Sequence, residues 1–322
     1  MIKLTWSAII NRLIHNQAHM TQPSLHHVQC PDANGGHRMA YWQWGNPAAA
    51  HVVVCVHGLS RQGRDFDVLA THLVAAANGN IRVFCPDVVG RGESDWLKDP
   101  MGYQIPTYAA DMLALLGLLH AQAPIAMLDW VGTSMGGLIG MAVCGQPGLP
   151  LSVPVHKLVL NDVGPVIEWQ SLVRIGTYLG RSAAFDSPQQ AADAMWAIST
   201  GFGPHTPEQW LALSTPMLRP VNDAASSKLR LHYDPAIAVP FKQATQESTL
   251  QGEKKLWQLY DNISAKTLLL RGADSDLLSS ATAHAMGQRG PRAQLVEFAG
   301  VGHAPTLVAA NQVAAVVDFL IS

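Results

Sequence analysis

The sequence predicts an α/β protein: a mostly parallel sheet flanked by helices, with a helical segment inserted late in the chain. Three observations carry this. Apolar, β-like runs alternate with helix-like stretches from about His51, and the alternation stops between Asn161 and Lys266. One strand-like run also passes through a glycine-flanked serine directly into a helix. Alternating β and α runs imply parallel strands joined by crossover helices. The 322 residues suffice for one large domain with an insertion, or for two modest domains, and 48% apolar against 14% charged residues can fill a sizeable core.

The elements follow in order. MAYWQWG, from Met39, alternates large and smaller residues and predicts an antiparallel edge strand. HVVVCV (from His51) and IRVFC (from Ile81) are continuous apolar runs rich in β-branched residues, as strands covered on both faces require. IAMLDWV (from Ile125), KLVLN (from Lys157), KTLLL (from Lys266) and AQLVEF (from Ala293) continue the series. Helices are predicted between them over 65–77, 106–121, 135–144, 279–288 and 305–321.

Between Asn161 and Lys266 strand runs are lacking. Helical patterns around 172–179, 191–198 and 208–218 are punctuated by Pro165, Pro188, Pro207, Pro216, Pro220 and Pro235. This predicts a helical cap, residues 164–261, laid over the active edge of a core formed by 25–163 and 262–322. Residues 1–24 read as an N-terminal extension. Their apolar stretch is short and broken by Asn11, Arg12 and His15, so neither a signal peptide nor a spanning helix is expected, and Met20 is a candidate start of the folded part.

A formal charge of −2 with no run of Lys and Arg gives no field for nucleic acid or an anionic membrane. Of the four cysteines, Cys30, Cys55, Cys85 and Cys144, the second and third lie inside apolar β-like runs and Cys144 follows a helix-like stretch; they read as buried free thiols rather than a disulfide framework. That usage suits a reducing compartment, and a cytoplasmic location is the expectation.

The chemistry centres on DWVGTSMGG, from Asp129. Gly132-Thr133-Ser134-Met135-Gly136 stands between a strand and a helix, the context that lifts a nucleophilic serine clear of a sheet. Side chains two positions either side of Ser134 would clash in so tight a turn. The helix N-terminus beneath it favours developing negative charge. A serine hydroxyl needs a base to take its proton. Among 14 histidines, His303 in GVGHAP stands on a glycine-rich loop between a strand and a helix, where small neighbours let the imidazole reach the serine.

The acid that holds the histidine ring has three candidates. Asp276 in LLLRGADSDLL is preferred, because it lies further from the strand end and beside Ser275. Asp274 in the same loop and Asp162 in LVLNDVGP are alternatives; for Asp162 the plainer role is a cap or loop hydrogen-bonder at the start of the insertion. The order Ser134, Asp276, His303 is a known triad order. The backbone amides of Leu59, in VHGLSRQ after a central strand, and Met135 are candidate oxyanion donors.

Other motifs yield less. His26, His27 and Cys30 lack a second ligand pair at a sensible spacing, so no metal is expected. PDVVGRGESDW, from Pro86, has neither G-K-[ST] nor G-x-G-x-x-G; it reads as a structural turn, and no cofactor is expected.

Taken together, HGLS, PDVVGRGESD, GTSMGG, RGADSDLL and GHAP resemble, in this order, the α/β-hydrolase superfamily, from about His51 to the end of the chain. The capped single-domain members are most similar: esterases, carbon–carbon bond hydrolases, epoxide hydrolases, dehalogenases and cofactor-free haloperoxidases. The resemblance implies an eight-stranded, mostly parallel sheet with a cap inserted after the sixth strand. Epoxide hydrolases and dehalogenases carry an aspartate nucleophile where this chain has Ser134. Carbon–carbon hydrolases usually carry a longer Ser/Gly-rich stretch than HGLSRQGRDF.

The expectation is therefore a serine hydrolase that cleaves a small or medium, weakly polar carboxylic ester through an acyl-enzyme on Ser134. Its partner is a small-molecule ester, with no nucleic acid and no membrane, and the sequence is silent on oligomeric state. Carbon–carbon cleavage or peracid formation on the same triad is the first alternative. A ligand-binding protein that kept the fold is the second, and the complete set of catalytic residue types argues against it. Trp169, Tyr178, Trp196, Phe202 and Trp210 are candidates for the inner face of the cap or for its own core.

Overall fold

A computed structural model describes residues 22–221 and 227–322. The strands are β1 (Ser24–Cys30), β2 (His37–Gly45), β3 (His51–Val56), β4 (Arg82–Pro86), β5 (Met127–Thr133), β6 (Val155–Asn161), β7 (Ala184–Phe185), β8 (Leu218–Pro220), β9 (Leu229–Leu231), β10 (Lys266–Gly272) and β11 (Gln294–Phe298). The helices are α1 (Asp67–Ala76), α2 (Ile105–Gln122), α3 (Met135–Gly145), α4 (Trp169–Gly176), α5 (Pro188–Ser199), α6 (Pro207–Ser214), α7 (Ala238–Gln243), α8 (Gln246–Asp261), α9 (Ser280–Met286) and α10 (Ala310–Ile321).

Eight strands form one sheet in the order β1-β2-β4-β3-β5-β6-β10-β11. From β4 to β11 every pairing is parallel, and β2 runs antiparallel to both β1 and β4. Side chains of a strand alternate between faces. In β3, Val52, Val54 and Val56 therefore join the core under α2 and α3, while Val53 and Cys55 join the core under α1 and α10. Both faces are covered, which is why the run is apolar throughout. The chain steps from β3 outward to β4 and returns to place β5 on the other side of β3. Such a switch in strand order leaves a crevice at the carboxyl ends of the two strands, where open α/β sheets bind ligands.

MAYWQWG is antiparallel as expected but is not the edge strand. That place belongs to β1, SLHHVQC, whose side chains are mostly exposed and of which only Val28 and Cys30 face the core. A strand covered on one side tolerates His26, His27 and Gln29, and these mask its pattern.

The segment between β6 and β10 also carries strands. β7, β9 and β8 form a small antiparallel sheet, each strand being two or three residues long, too short for an alternating pattern to register. Its helices start on recognisable caps: Thr206 and Gln209 form a reciprocal capping box at α6, and Ser187 accepts from the Gln190 amide at α5. Phe185, Ala192, Met195, Trp210 and Leu213 give the segment an apolar cluster of its own. Helix α8 returns to the main body, where Gly145 of α3 approaches Leu259 so closely that a Cβ would stand 2.0 Å from its carbonyl oxygen.

The reading of residues 1–24 as an extension falls mainly outside the described residues. No helix among the described residues is long and apolar enough to cross a membrane. All four cysteines are free, and burial pushes the Cys144 thiol up to about 12.

Candidate active site

Ser134 stands between the end of β5 and the start of α3, with φ +50° and ψ −114°. A non-glycine residue at positive φ is strained, and such strain concentrates at functional positions. The surroundings leave the turn no alternative. A Cβ on Gly132 would lie 2.3 Å from the Gly136 carbonyl oxygen, and one on Gly136 would lie 1.9 Å from that of Val56. The Ser134 amide donates to the Asn161 carbonyl at 2.9 Å, which ties the turn to the end of β6.

His303 reaches Ser134 from the loop after β11. Its Nε2 lies 3.0 Å from Ser134 Oγ, and its Nδ1 lies 2.7 Å from Asp162 Oδ2. A carboxylate can only accept, so Nδ1–H donates to Asp162 and Nε2 is left to accept the serine proton. The acid beside His303 is thus Asp162 rather than the preferred Asp276. Asp276 is half-exposed and forms a fork with Arg174 of α4, with Nε and Nη2 at 2.7 and 3.0 Å. Burial acts to raise its pKa, but the Arg174 bonds outweigh this and hold the carboxyl below its ordinary value. Asp274, in the same loop, is exposed.

The local geometry explains the exchange. Asp162 follows β6 with φ +55° and is fully buried. Its Oδ1 accepts from the Gly272 amide at 2.9 Å, and its Oδ2 also accepts from Ser275 Oγ at 2.6 Å. The loop that carries Asp274 and Asp276 therefore supplies Ser275 as a donor to Asp162. Asn161, absent from the sequence reading, binds the Thr133 hydroxyl and the Pro305 carbonyl through Nδ2 at 2.9 and 2.8 Å, joining the serine turn to the histidine loop. Its signal was an Asn-Asp pair at the carboxyl end of the strand beside the serine strand, where ligand sites form.

The loop after β3 runs against the serine: a Cβ on Gly58 would stand 3.8 Å from that of Ser134. Leu59 and Met135 line one cavity with Ser134. Two buried side chains hold them. His57 Nδ1 bonds the Gly58 carbonyl at 2.7 Å and its Nε2 accepts from the Val88 amide at 2.9 Å. Burial pushes its pKa down to about 3, so the ring is a neutral strut. Arg91 is fully buried; it donates to the Leu59 carbonyl at 2.8 Å and to the Tyr108 hydroxyl at 3.0 Å, and reaches Met135 Sδ at 3.7 Å. The PDVVGRGESDW loop is therefore more than a turn, since its arginine holds the Leu59 backbone and the Met135 side chain beside Ser134. The legible signal was an arginine between two glycines at a strand end.

Two cavities meet at Ser134. The larger, about 610 Å³, is lined chiefly by apolar residues, among them Leu138, Val163, Ile167 and Ile175. The smaller, about 150 Å³, is lined by His303 and by Ser60, Arg61, Arg174 and Tyr178. Of the five aromatic residues singled out, Tyr178 and Phe202 line this smaller cavity, while Trp210 is core, its indole donating to the Ala192 carbonyl at 2.8 Å and packing edge-on to Trp196 at 5.0 Å. Trp169 lines a separate surface hollow.

His26 and His27 are exposed on β1, and His26 stacks on Tyr41. Cys30 lies instead with His37 and Asp111, all buried, their ligand-type atoms within 4.8 Å of one another. His37 bridges Asp32 at 3.1 Å and Asp111 at 3.0 Å, and these carboxylates account for its position as an ion-pair network.

Comparison with known proteins agrees with this fold. Residues 53–317 match the model of the alpha/beta hydrolase family. A 3-hydroxybutyrate-oligomer hydrolase from Cupriavidus necator is 47% identical over 297 residues, covering 92% of this chain and 97% of that protein. An alpha/beta hydrolase from Novosphingobium aromaticivorans superposes with a TM-score of 0.78 at 32% identity, over 93% of this chain and 98% of the other. A hydrolase structure from Rickettsia typhi, described as putative in its own right, gives the same TM-score at 27% identity, with the same coverage. The chain belongs to the alpha/beta hydrolase family.

Proposed function

We propose that the protein is a serine ester hydrolase whose substrates are short linear oligoesters of 3-hydroxy acids. The observation that carries the chemistry is the position of His303, within hydrogen-bond reach of both Ser134 Oγ and the buried Asp162 carboxylate. The substrate class rests on the similarity to the Cupriavidus necator relative, and the two cavities that both reach Ser134 support it as room for an extended chain.

In this reading Ser134 Oγ attacks the ester carbonyl while His303 Nε2 takes its proton. Asp162 fixes the tautomer and stabilises the imidazolium. The Leu59 and Met135 amides receive the oxyanion, each worth roughly 3–4 kcal/mol in the transition state. His303 returns the proton to the departing alcohol, and water then cleaves the acyl-enzyme. The inserted segment, residues 164–261, acts as a cap that supplies the outer walls of the site; α4 contributes Arg174 and Ile175.

The test is hydrolysis of 3-hydroxybutyrate dimer and trimer, with p-nitrophenyl esters of graded acyl length, by wild type and Ser134→Ala. Turnover that disappears in the variant supports the reading. Wild-type turnover retained by a pure, folded Ser134→Ala sample would overturn it. Inactivity on every ester, with covalent fluorophosphonate labelling at Ser134, would move carbon–carbon cleavage to the front.

A further inference from the structure

The two cavities at Ser134 are unequal, and the chemistry gives each a different half of the ester. The base that removes the serine proton delivers it to the leaving alcohol oxygen. The alcohol half must therefore lie on the side of His303, which lines the cavity of about 150 Å³ and is not among the residues of the larger one. The acyl half is left with the larger cavity, of about 610 Å³, lined by both Leu59 and Met135. The smaller cavity has about a quarter of the volume of the larger, which suits it to the shorter half of the substrate.

Charge points the same way. In a linear oligomer of hydroxy acids the terminal alcohol unit carries the free carboxylate. Among the described residues that line the larger cavity there is no Lys or Arg, only neutral polar groups such as Gln104, Gln243 and Ser248. The smaller cavity has Arg61 and Arg174. Arg61 is held in the wall by a fork to Asp65, both bonds at 2.7 Å, and by the Leu213 carbonyl at 3.1 Å. Arg174 is the more exposed of the two, and Asp276 engages its Nε and Nη2. A guanidinium has five donors, so further N–H groups remain for a carboxylate.

We infer, resting on the oligoester reading above, that the protein shortens its substrate from the carboxylate end one hydroxy acid at a time, with Arg174 receiving the terminal carboxylate. The bond between the acyl carbon and the last alcohol oxygen breaks as Ser134 Oγ bonds to that carbon. The proton passes through His303 to the released hydroxyl. Water then frees Ser134 and leaves the shortened chain with a new carboxylate, which is the recognised end of the next substrate. Asp276, set aside as the acid of the triad, tunes this arginine instead.

The experiment uses 3-hydroxybutyrate trimer isotopically labelled in its carboxyl-terminal unit, quenched early and resolved by mass spectrometry. Labelled monomer with unlabelled dimer is the expected result. Unlabelled monomer with labelled dimer, or an even mixture, overturns the inference. Methylating the terminal carboxylate is expected to lower kcat/KM by roughly tenfold or more, as for loss of a hydrogen bond to a charged group. Arg174→Met should bring the free acid and methyl ester to within a few-fold of each other, and Asp276→Asn should widen the gap. An unchanged ratio in both variants removes Arg174 from the argument. Turnover of p-nitrophenyl butyrate with release from the hydroxyl end sinks this inference alone. Failure on the trimer sinks the oligoester reading, and this inference falls with it.

Discussion

Ser275 and His303 converge on the same oxygen of Asp162, at 2.6 and 2.7 Å. Its other oxygen takes the Gly272 amide at 2.9 Å. A fully buried carboxylate is costly unless its lone pairs are met, and here three donors, from the end of β10 and the loops after β10 and β11, meet them. Asp162 is thus aimed at His303 by the loop that carries Asp276.

Asp162→Asn should therefore lower kcat by roughly 10³–10⁴, because an amide cannot hold the tautomer that leaves Nε2 free to accept. Asp276→Asn should leave kcat on p-nitrophenyl butyrate within about tenfold, since its fork to Arg174 lies outside the proton path. Kinetics with circular dichroism on both variants check this. Equal collapse of kcat in a folded Asp276→Asn protein would return the acid to that residue.

The serine turn makes a steric prediction. Gly136→Ala places a Cβ 1.9 Å from the Val56 carbonyl oxygen, in backbone that cannot retreat, and should cost roughly 3 kcal/mol or more. Gly117 is exposed in the middle of α2, and a Cβ there would have nothing within 4 Å, so Gly117→Ala should stabilise by about 0.5–1 kcal/mol. Thermal melts of the pair read the difference. A Gly136→Ala melt matching that of wild type would mean the turn is far looser than described.

The parallel strands and the serine turn were legible in the sequence because both are local. A strand covered on both faces is apolar throughout, and a tight turn demands glycine at fixed offsets. Which aspartate stands beside His303 was not legible, because three aspartates follow two neighbouring strands and only tertiary placement separates them. Asp162 reaches His303 through a positive φ and an approach across β10, and neither leaves a trace in residue order. Arg91 escaped for the same reason: its partners, Leu59, Tyr108 and Met135, come from three separate segments. The small sheet β7-β9-β8 was hidden by strands of two and three residues.

His37 makes stability depend on pH. Burial alone would lower its pKa, but the bonds and charges of Asp111 and Asp32 outweigh it and raise it above the ordinary 6.5. A raised histidine contributes stability that is full below the unfolded value of about 6.5 and is lost as pH rises through the folded value. The melting temperature should thus fall as pH is taken from 6 upward through 8. His37→Ala should flatten that slope and cost roughly 3 kcal/mol at pH 6, as for a buried pair that loses one partner. A wild-type slope retained by the variant would assign it to other groups.

His205 ties the inserted segment to the histidine loop. Its Nδ1 lies 2.9 Å from the Gly203 carbonyl, which can only accept, so Nε2 accepts from the Thr306 hydroxyl at 2.8 Å. Burial lowers its pKa and favours this neutral form. One turn away, the Gly302 amide donates to the Gly201 carbonyl at 2.6 Å, beside His303 itself. The segment that carries Arg174 therefore also grips the backbone on either side of His303. Thr306→Val keeps the shape and removes the hydroxyl. It should cost about 1 kcal/mol of stability. It should also slow fluorophosphonate labelling of Ser134 by roughly tenfold, because small misplacements of a catalytic group carry large rate penalties. Thr306→Ser, which restores the hydroxyl, should recover most of the labelling rate. A lowered melting temperature with an unchanged labelling rate would make the contact purely structural and uncouple the inserted segment from His303.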